Sequence, residues 1–170
     1  DVEGELKKLL PTPSAADYAY LASHEYEMGA GFKAAITQLG ELKVRALPKG
    51  AWFLPREPVF SMTGPSALVS WLEPLLLQWN YRIQVATAAV LYPQQLNSLL
   101  GTVTCEAQKQ LALEVLEFVG VRVSAIKVNE DAYVDRVHAQ AAELVEVVKD
   151  PGRIFEVGLR SATCIEQHLL

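Results

Sequence analysis

Residues 42–89 read LKVRALPKGAWFLPREPVFSMTGPSALVSWLEPLLLQWNYRIQVATAA, and this stretch decides the fold class. It opens with apolar and polar residues in alternation over 42–47, the period of a half-buried strand. Pro48-Lys49-Gly50 then reverses the chain. Apolar runs at 51–54 and 59–63, joined by Pro55-Arg56-Glu57-Pro58, predict two more strands. Three short strands between Pro/Gly turns make a small antiparallel or mixed sheet, its prolines at the edges because proline cannot donate to a ladder. Gly64-Pro65-Ser66 ends the strands and opens a helix. Leu68, Val69, Trp71, Leu72, Leu75, Leu76 and Trp79 put apolar groups on almost every side of it, so it packs on several faces. Pro74 lies inside that pattern and should kink the helix or leave a carbonyl to local solvation.

Outward from this stretch the pattern is helical. On the N-terminal side, 2–10 has helical spacing and is closed by Pro11-Thr12-Pro13. Ser14 is the expected N-cap of a helix to about residue 27, with Asp17 adding favourable charge in its first turn. A breaker at 28–31 precedes a short helix carrying Phe32, Ala35, Ile36 and Leu39 on one side, with Gly40 marking its end. On the C-terminal side, helices are expected at 94–100 and 106–118, and 121–126 could form a strand. An amphipathic helix at 131–149 carries Val134, Val137, Ala141, Leu144, Val145 and Val148, and Asp150-Pro151-Gly152 stops it. A last strand is expected at 154–157. The fold class is therefore α+β: a small sheet packed with several helices, without internal repeat or low-complexity linker.

Composition narrows the function classes. With 170 residues, 51% hydrophobic and 21% charged, the chain can build one ordinary core and is too polar for a membrane protein. Its longest apolar stretch, 66–91, is interrupted by Glu73, Pro74, Gln78, Asn80, Arg82 and Gln84. A net charge of −5 without a Lys/Arg cluster argues against a nucleic-acid surface. Cys105 and Cys164 lie far apart with no CxxC or Cys/His spacing, in apolar surroundings, which favours a reduced cytosolic interior over a disulfide framework. The opening DVEGELKK contains no apolar leader core. Residue 1 is Asp, and SATCIEQHLL breaks off in mid-pattern as the first turns of an amphipathic helix. The expectation is a piece of a longer polypeptide.

Few residues carry chemistry on their own. His24, His138 and His168 have no metal-ligand spacing, and no G-x-S-x-G, P-loop, GxGxxG or HExxH occurs. Gly29-Ala30-Gly31 reads as a turn, although a helix N-terminus there could hold an anion. Glu73 in the apolar helix is expected to be a buried hydrogen-bond acceptor. Tyr18, Tyr20, Tyr26, Trp71 and Trp79 are expected in the core or at its boundary. Arg160 follows the strand expected at 154–157. It is either a surface arginine or an anion reader at a strand's carboxyl end, where a guanidinium fork suits phosphate or carboxylate oxygens.

A family resemblance bears on that choice. The run Glu57-Pro58-Val59, Thr63-Gly64-Pro65, Leu72-Glu73-Pro74-Leu75-Leu76-Leu77, Asn80 and Val85-Ala86-Thr87 resembles the N-terminal domain of nicotinate phosphoribosyltransferases. Glu156-Val157-Gly158-Leu159-Arg160-Ser161 resembles the strand by which that family enters its barrel, and DYAYLASHEYEMG fits the segment before the sheet. The resemblance covers residues 1 to about 89 and 153–170. It implies an N-terminal α+β domain at 1–152, with an unmatched helical insertion at about 90–152. Residues 153–170 would then be the first strand and helix of a truncated α/β barrel of a type II phosphoribosyltransferase-like protein.

The implied reaction joins nicotinate to phosphoribosyl pyrophosphate, forming nicotinate mononucleotide for NAD biosynthesis, with ATP coupling. Magnesium would enter with phosphoribosyl pyrophosphate and ATP, bound mainly by segments outside these residues. The resemblance further implies a homodimer, and with the charge and composition above the expectation is a cytoplasmic protein without nucleic-acid or membrane partners. Arg160 is the one substrate-binding residue it assigns, to a phosphate or to the nicotinate carboxylate. Catalytic and metal-ligating residues are expected elsewhere, so the 170 residues alone are expected to be inactive. There are departures. Val157 stands where the family stacks an aromatic on the pyridine ring, Ser161 replaces a second basic position, and Pro74 replaces a small polar residue. These keep open a catalytically inactive homologue acting as a binding or regulatory domain, a phosphoribosyltransferase for another base, and a plain α+β module without ligand.

Overall fold

The computed structural model describes Gly4, residues 12–155 and residues 158–170. The described chain runs α1 (Ala15–Ser23), α2 (Ala30–Ala35), β1 (Lys43–Ala46), β2 (Phe60–Thr63), α3 (Ser66–Leu77), α4 (Trp79–Leu91), α5 (Pro93–Leu100), α6 (Glu106–Phe118), α7 (Glu130–Val148) and α8 (Ile165–His168). Short 3₁₀ turns lie at Leu39–Glu41, Pro151–Arg153 and Gly158–Arg160. Among the described residues the fold is α+β with a two-stranded antiparallel sheet. The helix expected at 2–10 lies, apart from Gly4, outside the described residues. The chain forms two compact units, residues 1–73 and 74–170.

In the first unit, α1 starts where the sequence places its cap. Ser14 Oγ accepts the Asp17 backbone N–H at 3.3 Å, and the Asp17 carboxylate accepts the Ser14 N–H at 2.6 Å. This reciprocal box satisfies two donors that a helix start otherwise leaves to water. The helix stops at Ser23 rather than near 27, because the His24 and Tyr26 N–H groups turn back to the Leu21 carbonyl and Glu25 adopts a left-handed φ of 66°. Strands β1 and β2 pair with Lys43 opposite Thr63 and Ala46 opposite Phe60. One further bond, Leu47 N–H to Val59 O, extends the pairing.

The strand expected at 51–54, second of the three, is irregular instead. Leu54 N–H donates to the Glu57 carboxylate at 2.7 Å, and Glu57 N–H returns to the Leu54 carbonyl at 3.1 Å. Those local bonds close a turn and take the place of a ladder, leaving Trp52 and Leu54 about two-thirds exposed, at 70% and 68%. Gly64 is tightly placed: a Cβ there would come within 3.2 Å of Leu42 Cδ1. Immediately beyond, Leu68 and Leu72 of α3 are fully buried.

The apolar stretch 66–91 forms two helices, with α3 ending at Leu77 and α4 starting at Trp79. Pro74 sits within α3. In the second unit Tyr81, Val85, Ala88 and Ala89 of α4 pack with Leu96 and Leu100 of α5 and Ala112 and Leu116 of α6. Val103 and Ile126 complete this core from the connections. The possible strand at 121–126 is irregular. Its apolar residues still face the core, but its backbone bonds go elsewhere: Val121 N–H closes the end of α6 on the Leu116 carbonyl.

Helix α7 has the expected span within one residue, yet none of its residues is buried. The strand expected at 154–157 is not present at Ile154 and Phe155, and Glu156 and Val157 lie outside the described residues. Gly158–Arg160 is a 3₁₀ turn, held by Ser161 N–H on the Gly158 carbonyl. No helix among the described residues is long and apolar enough to cross a membrane.

Candidate functional site: a buried thiol pair

Arg160 ends the 3₁₀ turn and is exposed. Its neighbour Leu159 is anchored through its carbonyl, which accepts the Gln78 side-chain amide at 3.4 Å. Two open grooves of about 480 and 570 Å³ lie around the 120–123 connection, and Arg160 lines neither.

The other expected residues stand apart from one another. His24 is exposed, its Nδ1 within 2.9 Å of the Tyr20 carbonyl. His138 is exposed on α7, and Glu73 is half-buried. Tyr20 and Tyr26 are at the surface rather than in the core or at its boundary, Tyr20 because α1 buries no residue and Tyr26 because it lies in the irregular segment beyond that helix. Tyr18 is half-buried beneath the Lys33 ammonium, 4.6 Å from the ring centre. No group of three or more metal-ligating side chains occurs among the described residues.

The structure does bring together residues that sequence reasoning left separate. Thr104-Cys105-Glu106-Ala107-Gln108 opens α6, and Thr163-Cys164-Ile165-Glu166-Gln167 opens α8. In both, cysteine is the N-cap residue with extended backbone, and glutamine follows at the third helical position. Gln108 Oε1 accepts the Thr104 N–H at 2.8 Å and the Thr104 hydroxyl at 3.0 Å. Gln167 Oε1 does the same for Thr163, with both distances 2.8 Å. The two starts then join, because Gln167 Nε2 donates to Thr104 Oγ1 at 2.9 Å. This network places Cys105 Sγ and Cys164 Sγ 3.7 Å apart, both thiols free and buried.

Electrostatics in this cluster follow from burial. Desolvation, the largest influence, pushes the Cys164 thiol up to about 11, with a contribution from the adjacent Cys105. Cys105 Sγ receives the Gln108 backbone N–H at 3.4 Å at the head of the 13-residue α6. Tyr81, 4% exposed, borders the same thiols, and burial pushes its phenol up to about 12. Its hydroxyl is enclosed without a hydrogen-bond partner, falling short of bonding geometry with the Gln108 amide beside it.

Such an arrangement can exchange protons between sulfurs or join them covalently. The surroundings expected for both cysteines were simply apolar, but burial is accompanied here by a threonine–glutamine network. The signal that could have found it is the recurrence of Thr-Cys-x-x-Gln at two helix starts. Comparison with family models, with curated proteins and with solved structures returned no match.

Proposed function

We propose that these residues are the N-terminal part of a nicotinate phosphoribosyltransferase-like enzyme, which joins nicotinate to phosphoribosyl pyrophosphate and releases pyrophosphate. The observation that carries the reading is the β1–β2 hairpin leading through Thr63-Gly64-Pro65 directly into α3. That is the element order in which the resembling motifs occur. The contact of Gly64 with Leu42 gives the glycine of that motif a steric reason.

Glycosyl transfer of this kind builds positive charge on the ribose and negative charge on the departing pyrophosphate. Magnesium and arginines stabilise the latter. Arg160, exposed at the end of its turn, is assigned to a phosphate or to the nicotinate carboxylate, where its planar fork can make two parallel bonds. The remaining machinery belongs to segments outside these residues in this reading, so the 170-residue chain alone is inactive. Val157, in place of a ring-stacking aromatic, favours a second reading: a homologue that binds without turnover, or one that uses another base.

The test is product formation by the complete polypeptide that carries these residues, given nicotinate, phosphoribosyl pyrophosphate, ATP and magnesium. Nicotinate mononucleotide and pyrophosphate should appear together. Arg160→Ala should lower kcat/KM for nicotinate by about 100-fold or more, as for loss of a donor to developing charge. An unchanged kcat/KM removes Arg160 from the site. Calorimetric binding of both substrates without product selects the second reading, and neither binding nor product sinks the family assignment.

A further inference from the structure

We propose that Cys105 and Cys164 are a reversible dithiol–disulfide site, whose closure covalently joins the start of α6 to the start of α8. The substrate class is a small-molecule disulfide. The inference stands on the geometry of the thiol cluster and holds whether or not the enzyme reading does.

Three independent features meet at this place. The sulfurs are 3.7 Å apart, so a disulfide of about 2.05 Å requires an approach of about 1.7 Å, within reach of side-chain rotation and a small shift of a short helix. Their separation is set by a specific network rather than by loose packing: each glutamine holds its own threonine, and Gln167 also holds Thr104. The Tyr81 hydroxyl is buried and unpartnered beside both thiols, a polar group for which the reduced, neutral pair supplies no acceptor. A thiolate formed during exchange is the acceptor it lacks.

The step balances by thiol–disulfide exchange. Cys105, whose Sγ receives the Gln108 N–H, attacks one sulfur of glutathione disulfide as the thiolate. That S–S bond breaks, a protein–glutathione mixed disulfide forms, and one glutathione thiolate leaves and takes up a proton. Cys164 then releases its proton and attacks the Cys105 sulfur, breaking the mixed disulfide and expelling the second glutathione. The two cysteine thiols have lost two protons and two electrons, and the glutathione disulfide has gained them as two thiols.

Both sulfurs are buried in the resting fold, so reagent enters when α8 opens. Four residues make too short a helix to hold by itself, which makes α8 the weak wall of the site. Exchange is therefore slow compared with that of an exposed thiol, and it is gated by this helix.

The experiment equilibrates the protein in glutathione buffers of increasing oxidised-to-reduced ratio, followed by acid quench, intact mass and peptide mapping. Expected is a single intramolecular species, lighter by two hydrogens, joining the Cys105 and Cys164 peptides. A dithiol should reverse it, and it should raise the melting midpoint by about 5 °C or more. Cys164→Ser should stop at a glutathione adduct on Cys105, whereas Cys105→Ser, which lacks the attacking thiol, should stay largely reduced. Tyr81→Phe should slow closure several-fold while leaving the end state unchanged. Retention of both thiols across the series, or only adducts and intermolecular dimers in the wild-type protein, overturns the proposal. Because the wild-type mass alone decides, misfolding of a variant does not rescue it.

Discussion

At the scale of single residues, Gln108 and Thr104 of the thiol cluster show how polar groups can be buried at little cost when the backbone and hydroxyl donors of one meet the amide oxygen of the other. Gln108 is 2% exposed and takes both the N–H and the hydroxyl of Thr104. Gln108→Ala should leave a buried backbone N–H without a partner and destabilise the fold by about 2 kcal/mol in urea titration. Cys164 gives a pH prediction with a defined sign. Its pKa is raised from 9.0 to about 11, so the folded state holds the proton more tightly than the unfolded one. The associated stability is fully present below pH 9 and is lost as pH rises through about 11. The groups around it are Cys105, Tyr81 and Glu166, and Tyr81, raised to about 12, adds a loss of the same sign at higher pH. Alkaline titration of the urea midpoint should fall from about pH 9 upward, and Cys164→Ser should flatten its first part. Asp17 has the opposite sign. The Ser14 N–H, then the Ser14 hydroxyl, hold its carboxyl below 3.8, so its support of α1 is present at neutral pH and fades in acid.

At the scale of elements, helices were more legible than strands, for a physical reason. The residues that define α6 and α7 repeat over more than three turns, and their expected spans agree with the observed ones to within a residue. A strand of four residues carries little periodicity, and its existence depends on a partner elsewhere in the chain. Hence β1 and β2 were readable, while 51–54 and 121–126, equally apolar, satisfy their backbone locally instead. The thiol site lay beyond this kind of reading. Its two cysteines are 59 positions apart in sequence, and only tertiary packing reveals that two similar helix starts meet. Helix α7 supplies a prediction at the same scale. It ends with Lys149 in the left-handed region at φ 62°, a conformation that costs a side chain and suits glycine. Lys149→Gly should stabilise the helix end by about 0.5–1 kcal/mol, read as slower amide exchange over its last turn.

At the scale of the whole molecule, the attachment of α8 within unit 74–170 decides what a covalent link at the thiols does. In unit 74–170 the core of α4, α5 and α6 is apolar and continuous, whereas α8 is attached through Cys164 and the Gln167–Thr104 bond. A covalent link there changes the unfolded state more than the folded one. It closes a loop spanning 59 residues of sequence, and the chain-entropy relation assigns such a closure about 4 kcal/mol, less any strain in joining the sulfurs. Two signatures should therefore appear together when reduced and oxidised protein are unfolded in urea. The midpoint should rise on oxidation. The slope of free energy against urea should fall, because a looped unfolded chain exposes less surface than an open one. A higher midpoint with an unchanged slope would instead place the gain in the native packing around α8. The Gln167→Ala variant separates the two accounts. Removing the Thr104 and Thr163 bonds loosens α8 in the folded state and leaves the unfolded loop untouched, so the stability gained on oxidation should be the same in the variant and the wild type if the covalent loop is its source, and should differ if it comes from native packing around α8.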